Sequence, residues 1–358
     1  MDENISFDFN QILFSFNIAD VISIKPYGSG HINDTFLVEI PGNKYLLQRI
    51  NHLIFKQVPE LMSNIEKVTN QIRLKSPYLE SLTLVPSNEG KTFVTDQDGN
   101  YWRVLNFIKN STSYDRVTSP HLAYEAGRVT GEFHKLMHDF PAEELFVTLP
   151  GFHNLTSRLK RFHDAVGIDV VSRAVTITEL IEFVNDRSKE LVLIDQLIAS
   201  GALPVRVVHN DPKINNILFD QQGKGLCMID LDTLMPGCLL HDFGDAIRTT
   251  ANSAEEDESD TSRIFLNVEL FEAYVRGYMS ETRQFLTKTE VENLALSARV
   301  LTFTIGLRFL TDYLEGDSYF KIAFPLHNLQ RARAQFALVK SIEANDEILK
   351  QIIADNYF

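Results

Sequence analysis

The sequence predicts an α+β chain of two lobes: a small β-rich N-terminal lobe over residues 1–108 and a larger, mainly helical C-terminal lobe over residues 109–358. Three observations predict it. Apolar and polar residues alternate through much of the first hundred positions, the period of half-buried strands. Past Ser119 the apolar residues recur at helical spacing instead. One short β-rich island, Val205 to Leu234, interrupts the helices.

The elements follow in order. Val21 to Lys25 reads as a strand and leads into Gly28-Ser29-Gly30. Strands 35–40 and 44–50 flank Pro41-Gly42-Asn43, a hairpin-turn signal. A helix is expected over about 59–74, then short strands near 82–85 and 91–94, then a last strand from Trp102 to Ile108. Ser119-Pro120 is a cap followed by proline in the first turn, and Leu122, Ala126, Val129, Phe133 and Met137 then share one helix face. Further helices are expected over about 155–166, 177–199, 264–281, 288–314 and 328–354. The acidic run Glu255 to Asp260 reads as a solvated loop.

Composition narrows the function. Hydrophobic residues are 44% and charged residues 23% of the chain, which excludes a disordered or collagenous protein. The net charge of −14 argues against nucleic acid or an anionic membrane as partner. Two cysteines, Cys227 and Cys238, make no disulfide framework and suit a reducing compartment. Met1-Asp2-Glu3-Asn4 lacks the basic and apolar regions of a signal peptide, so a cytoplasmic location is expected. The nearest approach to a membrane span, Leu294 to Leu310, carries Arg299 and Arg308. Nothing in the sequence speaks to oligomeric state.

The central motif is His209-Asn210-Asp211-Pro212-Lys213-Ile214-Asn215-Asn216, followed by a strand, a hairpin around Gly223, and Ile229-Asp230-Leu231-Asp232. Taken singly, these residues could serve turns and strand ends. The whole string, H-x-D-x-x-x-x-N and then I-D-x-D, resembles the catalytic core of the aminoglycoside phosphotransferase and choline kinase family, relatives of the protein kinases. That resemblance implies a two-lobe, protein-kinase-like fold, with ATP as phosphate donor and Mg2+ as cofactor. Phosphoryl transfer needs a carboxylate to take the acceptor's proton, and Asp211 fits it. Magnesium prefers oxygen ligands, which Asn216 and Asp230 offer. Asp232 is a second metal ligand or orients the first. His209 reads as a brace of the loop.

Gly28-Ser29-Gly30-His31 stands where a kinase phosphate loop belongs, and glycines there let backbone approach phosphate closely. His31 and Asn33 add polar groups for phosphate or acceptor. Kinases place a lysine on the third strand; here Gln48 stands there, with Arg49 next, and alternation lets only one of them face the nucleotide. Glu66, on the helix that follows, is a candidate for the kinase ion-pair glutamate or an exposed residue. Phe107-Ile108 is the expected adenine hinge. Asp242-Phe243-Gly244 spells the protein-kinase metal motif but comes too late in the chain; Asp242 instead matches an aspartate that supports the catalytic loop.

Over nearly its whole length the sequence also resembles bacterial N-acetylhexosamine 1-kinases. The likeness runs through Pro26-Tyr27-Gly28-Ser29-Gly30-His31-Ile32-Asn33, Ala202 to Asp211, Ile229 to Gly237, Arg308 to Asp317, and Tyr319-Phe320. These enzymes also lack the strand lysine. The resemblance implies transfer of the γ-phosphate of ATP to the anomeric hydroxyl of an N-acetylhexosamine, with Asn33, Arg308, Asp317 and Tyr319 at a small sugar acceptor. A sugar site wants planar hydrogen-bonding groups and an aromatic platform. Arg308, Asp312 and Glu315 lie on one helix face, which also fits a surface ion-pair ladder. Homoserine, choline, methylthioribose or another sugar remain alternative acceptors of the same fold, and a non-catalytic pseudokinase is the third reading.

Overall fold

The computed structural model describes residues 7–28 and 32–358. The N-terminal lobe is built on a six-stranded antiparallel sheet. It holds α1 (Phe9–Phe14), β1 (Ser23–Pro26), β2 (Asp34–Ile40), β3 (Asn43–Ile50), α2 (Val58–Lys75), β4 (Leu84–Val85), β5 (Val94–Thr95) and β6 (Tyr101–Asn106). The strand order is β1-β2-β3-β6-β4, with β5 also paired to β6. Gly42 turns the β2–β3 hairpin at φ +79°, a conformation that costs glycine nothing.

Alternation gives this sheet two different faces. Val38, Leu47, Trp102 and Val104 bury on the outer face under Ile12, Leu13 and Phe16 of the N-terminal segment. Ile50 and Leu105 join the main core on the other side, together with Val58, Leu61, Ile65 and Val68 of α2. The inner face is the one that meets the second lobe. The helix α1 was not anticipated; at six residues it is too short to establish a period.

The C-terminal lobe holds α3 (Pro120–Met137), α4 (Leu155–Ile168), α5 (Thr178–Leu191), α6 (Leu193–Ala199), β7 (Arg206–Val208), β8 (Ile217–Phe219), β9 (Gly225–Met228), β10 (Met235–Gly237) and α7 (Leu239–Thr250). It ends with α8 (Val268–Thr282), α9 (Lys288–Glu292), α10 (Leu294–Leu314), α11 (His327–Ala344) and α12 (Asp346–Tyr357). The β-rich island forms two small antiparallel pairs, β7 with β10 and β8 with β9. Three stretches expected as single helices are each broken once, at Val192, Asn293 and Asn345. The whole of α7 was missed although Leu239, Leu240, Phe243, Ala246 and Ile247 recur at helical spacing; its polar residues His241, Asp242, Asp245 and Arg248 are buried as well.

Helices α3 and α8 touch backbone to backbone. A Cβ on Gly277 would lie 1.9 Å from the Tyr124 carbonyl oxygen, and one on Gly127 would lie 2.1 Å from that of Tyr274. By length and hydropathy α10 passes for a membrane span, but 89% of its most apolar stretch is buried inside the protein, packed on α4, α7 and α11. Thr112 exchanges two backbone hydrogen bonds with Phe219, tying the interlobe segment to β8. Asn64 of α2 donates to the carbonyls of Phe146 and Leu234, a second tie between the lobes.

Candidate active site

Strand β7 delivers the chain to His209 and a buried carboxylate holds it there. Asp242, on α7, accepts hydrogen bonds from the backbone amides of both His209 and Asn210, each 2.7 Å long. It also accepts from His134 Nε2 at 2.9 Å, while Tyr278 donates to the other ring nitrogen. Burial works to raise the Asp242 carboxyl, but the hydrogen bond from His134 and those from the loop amides win and hold it below the usual carboxylate range. His209 Nε2 donates to the Ile229 carbonyl, and Nδ1 accepts from the Asp211 amide, so one neutral tautomer satisfies both contacts. Burial lowers its pKa accordingly. Asn210 adopts φ +66°, a left-handed turn that asparagine tolerates. His209 and Asp242 therefore brace the loop at its backbone.

Past that turn, Asp211 meets Asn216 and Lys213. The Asn216 amide nitrogen donates to the Asp211 carboxylate and to its backbone carbonyl, both at 2.9 Å. Lys213 Nζ lies 2.8 Å from the same carboxylate. The short β8–β9 hairpin returns the chain to this loop, where the Ile229 amide donates to the Asn216 carbonyl. Asp230 follows in left-handed conformation at φ +60°. Crowding by protein atoms, then the charges of Asp232 and Asp211, push its carboxyl up to about 7, although it reaches water through the cleft mouth. No donor contacts it among the described residues.

These groups fit magnesium. Asp230 is a carboxylate under repulsion from two others, which a divalent cation relieves. The Asn216 amide oxygen accepts no bond among the described residues. No set of three His, Cys, Asp or Glu side chains converges on one point among the described residues. The donor set suits an ion that keeps water and phosphate oxygens as its remaining ligands.

Asp232 corrects an expectation. It was expected as a second metal ligand or as the residue that orients the first, but it is 2% exposed, and Arg103 binds both its carboxylate oxygens. Asn33 also donates to it. In this structure its acceptors serve the other lobe. Asn33 is engaged with it: its amide oxygen accepts from the Asn51 backbone and its nitrogen donates to Asp232, which among the described residues leaves one N–H and one lone pair free for a phosphate or acceptor.

The upper wall of the cleft is a polar row across the sheet. Thr35, Gln48 and Arg103 stand opposite one another on β2, β3 and β6. Gln48 Nε2 donates to Thr35 Oγ1, and Arg103 Nε donates to Gln48 Oε1, both at 2.9 Å. Gln48 thus faces inward. Arg49 points to the outer face, paired with Asp34 and laid over the Phe7 ring, so its expected contact with nucleotide is corrected. Glu66 is exposed. From α2 it is Met62 that reaches Arg103.

Gly28, at φ +80°, ends the described part of the first turn; Ser29, Gly30 and His31 lie outside the described residues. Tyr27 packs edge-on against Phe107, with ring centres 5.8 Å apart. The Phe107 amide donates to the Lys44 carbonyl, and the Ile108 carbonyl accepts from Ser111. The Ile108 amide has no acceptor among the described residues.

A small, half-open cavity lies between α4 and α10, lined by Arg158, Arg161, Arg308, Asp312, Glu315 and Tyr319, with Thr311 and Phe320. Arg308 lies among the rings of Phe152, Tyr319 and Phe320, at 5.4–5.9 Å from their centres. His153, next to Phe152, bonds the Asn210 carbonyl at 2.8 Å, which ties this cavity to the loop carrying Asp211. Its two carboxylates are committed. Asp312 accepts from the backbone amides of Ser318, Tyr319 and Phe320 and from Asn328. Glu315 forms a two-pronged pair with Arg161. Arg308 and Arg158 make no ion pair among the described residues. Burial, then the nearby charge of Arg308, brings the Arg158 guanidinium down to about 10.

Asp317 is not in the cavity wall. Its carboxylate is held by Arg173 and Asn328 behind the turn it terminates, which corrects its expected place at the substrate.

Residues 23–284 match the profile of the phosphotransferase enzyme family. The chain belongs to that family. It is an ATP-dependent small-molecule kinase of the aminoglycoside phosphotransferase type. Solved structures agree on the fold. An aminoglycoside phosphotransferase from Alicyclobacillus acidocaldarius is 12% identical, with a TM-score of 0.67 over 99% of this chain and 98% of that one. A microcompartment-associated aminopropanol kinase is 17% identical, with a TM-score of 0.60 over 94% and 97%. An ethanolamine kinase from Plasmodium vivax is 17% identical, with a TM-score of 0.57 over 88% and 82%.

For this phosphotransferase two site residues were missed in the sequence. Lys213 lies inside the motif, two residues past Asp211, and its position was the available signal. Arg103 had none, because its meeting with Asp232 spans 129 positions of sequence.

Proposed function

We propose that this kinase phosphorylates the anomeric hydroxyl of an N-acetylhexosamine, GlcNAc or GalNAc, giving the sugar 1-phosphate and ADP. The observation that carries the reading is the charge of the cavity beside the catalytic loop. Its arginines outnumber its carboxylates, and both carboxylates are already bonded. An ammonium-bearing acceptor such as choline would meet repulsion there. A hydroxyl- and amide-rich acceptor finds donors in Arg308 and Arg158 and a ring platform in Tyr319.

In this reading Asp211 accepts the acceptor's proton as its oxygen attacks, and Asn216 holds Asp211 in position. Lys213 offsets the charge gathering between acceptor and γ-phosphate. Asn216 and Asp230 hold magnesium, which neutralises the triphosphate when bound. Gly28 stands at the phosphates, Gln48 faces them from the sheet, and Phe107-Ile108 receive adenine. The test is coupled ADP release with magnesium-ATP against GlcNAc, GalNAc, glucose, galactose, homoserine, choline and methylthioribose. Turnover confined to the acetylated sugars, with phosphorus NMR placing the phosphate at the anomeric carbon, upholds the reading. Turnover with choline or homoserine replaces the acceptor; none with any acceptor favours a pseudokinase.

A further inference from the structure

The cleft floor carries three carboxylates, Asp211, Asp230 and Asp232, and two cations come to meet them. Lys213 pairs with Asp211 from the same loop. Arg103 comes from the opposite lobe, and it is 3% exposed. Its guanidinium makes a two-pronged pair with Asp232, while Gln48 fixes its Nε. No acidic side chain of its own lobe contacts it among the described residues. A buried arginine whose only charge partner belongs to the other lobe is a link between lobes. It also stands directly opposite Gln48, the position where a strand lysine would reach phosphate.

We propose that Arg103 is the phosphate-binding cation of this kinase, stored on Asp232 until nucleotide enters. The idea rests on the reading of this cleft as the nucleotide site. Three features carry it. Gln48 cannot supply a charge, and Arg49 is committed to the outer face. Arg103 is the one basic side chain of the sheet's inner face found at Asp232, among the described residues. Its planar fork suits phosphate oxygens as well as it suits a carboxylate. Asp232 and the nucleotide phosphates therefore compete for one guanidinium. When magnesium is present, Asp230 gains a counter-charge and Asp232 no longer faces an uncompensated neighbour. The exchange of Arg103 from Asp232 to phosphate then moves a bond that holds the lobes together.

The experiment is calorimetry of ATP and of adenosine, with and without magnesium, on the full chain. Wild type is expected to bind ATP more tightly than adenosine. In Arg103→Met that preference should fall about 10- to 100-fold while adenosine affinity holds, the size of a lost charge-assisted contact. Arg103→Lys should restore part of it. Asp232→Asn frees Arg103 and should tighten magnesium-free ATP binding several-fold, an effect opposite in sign to that of a damaged fold. An Arg103→Met protein with the wild-type preference overturns the proposal. So does an Asp232→Asn protein whose magnesium-free ATP affinity is unchanged or weaker, and this arm stands if Arg103→Met fails to fold. Wild type that binds neither compound overturns the nucleotide-site reading itself, a failure distinct from that of Arg103.

Discussion

Lys213 Nζ stands 2.8 Å from the Asp211 carboxylate, and both groups project from the loop that Asp242 pins at its backbone. Burial disfavours the Lys213 charge, yet Asp211, by charge and hydrogen bond, raises its pKa, so it is a cation at neutral pH. The pair therefore enters any reaction as a base and a neighbouring positive charge on one rigid turn. Asp211→Asn removes the proton acceptor, and turnover should fall about 10²- to 10⁴-fold. Lys213→Met removes only charge stabilisation and should lower kcat about 10²-fold with little change in acceptor KM. Steady-state ADP release checks both. Asp211→Asn that keeps wild-type turnover refutes its role as base.

The pH dependence of stability follows from buried histidines. Burial lowers the pKa of His153, His209 and His241, the last to about 3, and His153 and His241 lie with ring centres 5.2 Å apart. In the unfolded chain each titrates near the ordinary value of about 6.5. As pH falls below that value the unfolded state binds protons that the native state refuses. Stability is thus complete above about pH 6.5 and is lost on acidification, by up to about 1.4 kcal/mol per pH unit for each histidine. Asp242, held low in the native state, adds to the loss once pH falls through the carboxylate range. Urea midpoints should hold from pH 7.5 to about 6.5 and fall from there to pH 5; a flat profile down to pH 5 contradicts neutral burial. His241→Phe should lessen the slope.

The contact of α3 with α8 predicts a packing defect. Gly277 leaves no room for a side chain, because the nearest atom is the Tyr124 backbone oxygen rather than a movable group. Gly277→Ala should cost roughly 3 kcal/mol or more, since a helix must shift to relieve the overlap. Gly167→Ala on α4 meets nothing within 4 Å and should be neutral or mildly stabilising. Thermal melts of the two variants, run side by side, separate the effect of space from that of propensity.

How much of this was legible depends on distance along the chain. The catalytic loop was readable because Asp211, Lys213 and Asn216 lie within one turn, where chemistry and spacing coincide. The strands flanking Gly42 were readable from alternation. What alternation could not decide was which face turned inward; Asp34 and Phe7 settle it by drawing Arg49 outward. Arg103 and Asp232 were read separately, one as a strand residue and one as a metal ligand, because nothing local marks their pairing. Helix α7 shows the opposite limit. Its apolar residues Leu239, Leu240, Phe243, Ala246 and Ile247 recur at helical spacing, a local signal that was present and passed over, although Asp242 within it was already recognised as a support of the loop.

The acceptor end makes a paired prediction from two residues that looked equivalent in sequence. Arg308 lines the cavity amid three aromatic rings and has no carboxylate partner among the described residues. Asp317 is spent on Arg173 and Asn328, at φ +60° in the turn after α10. Arg308→Ala should raise acceptor KM about 10- to 100-fold and leave ATP affinity alone, as expected for a lost charged donor. Asp317→Asn should leave acceptor KM near wild type and instead lower the melting temperature, because it strips the charge that the half-buried Arg173 pairs with. Kinetics and thermal melts on both variants distinguish a binding residue from a turn-holding one. A raised KM in Asp317→Asn at unchanged stability would return that carboxylate to the acceptor site.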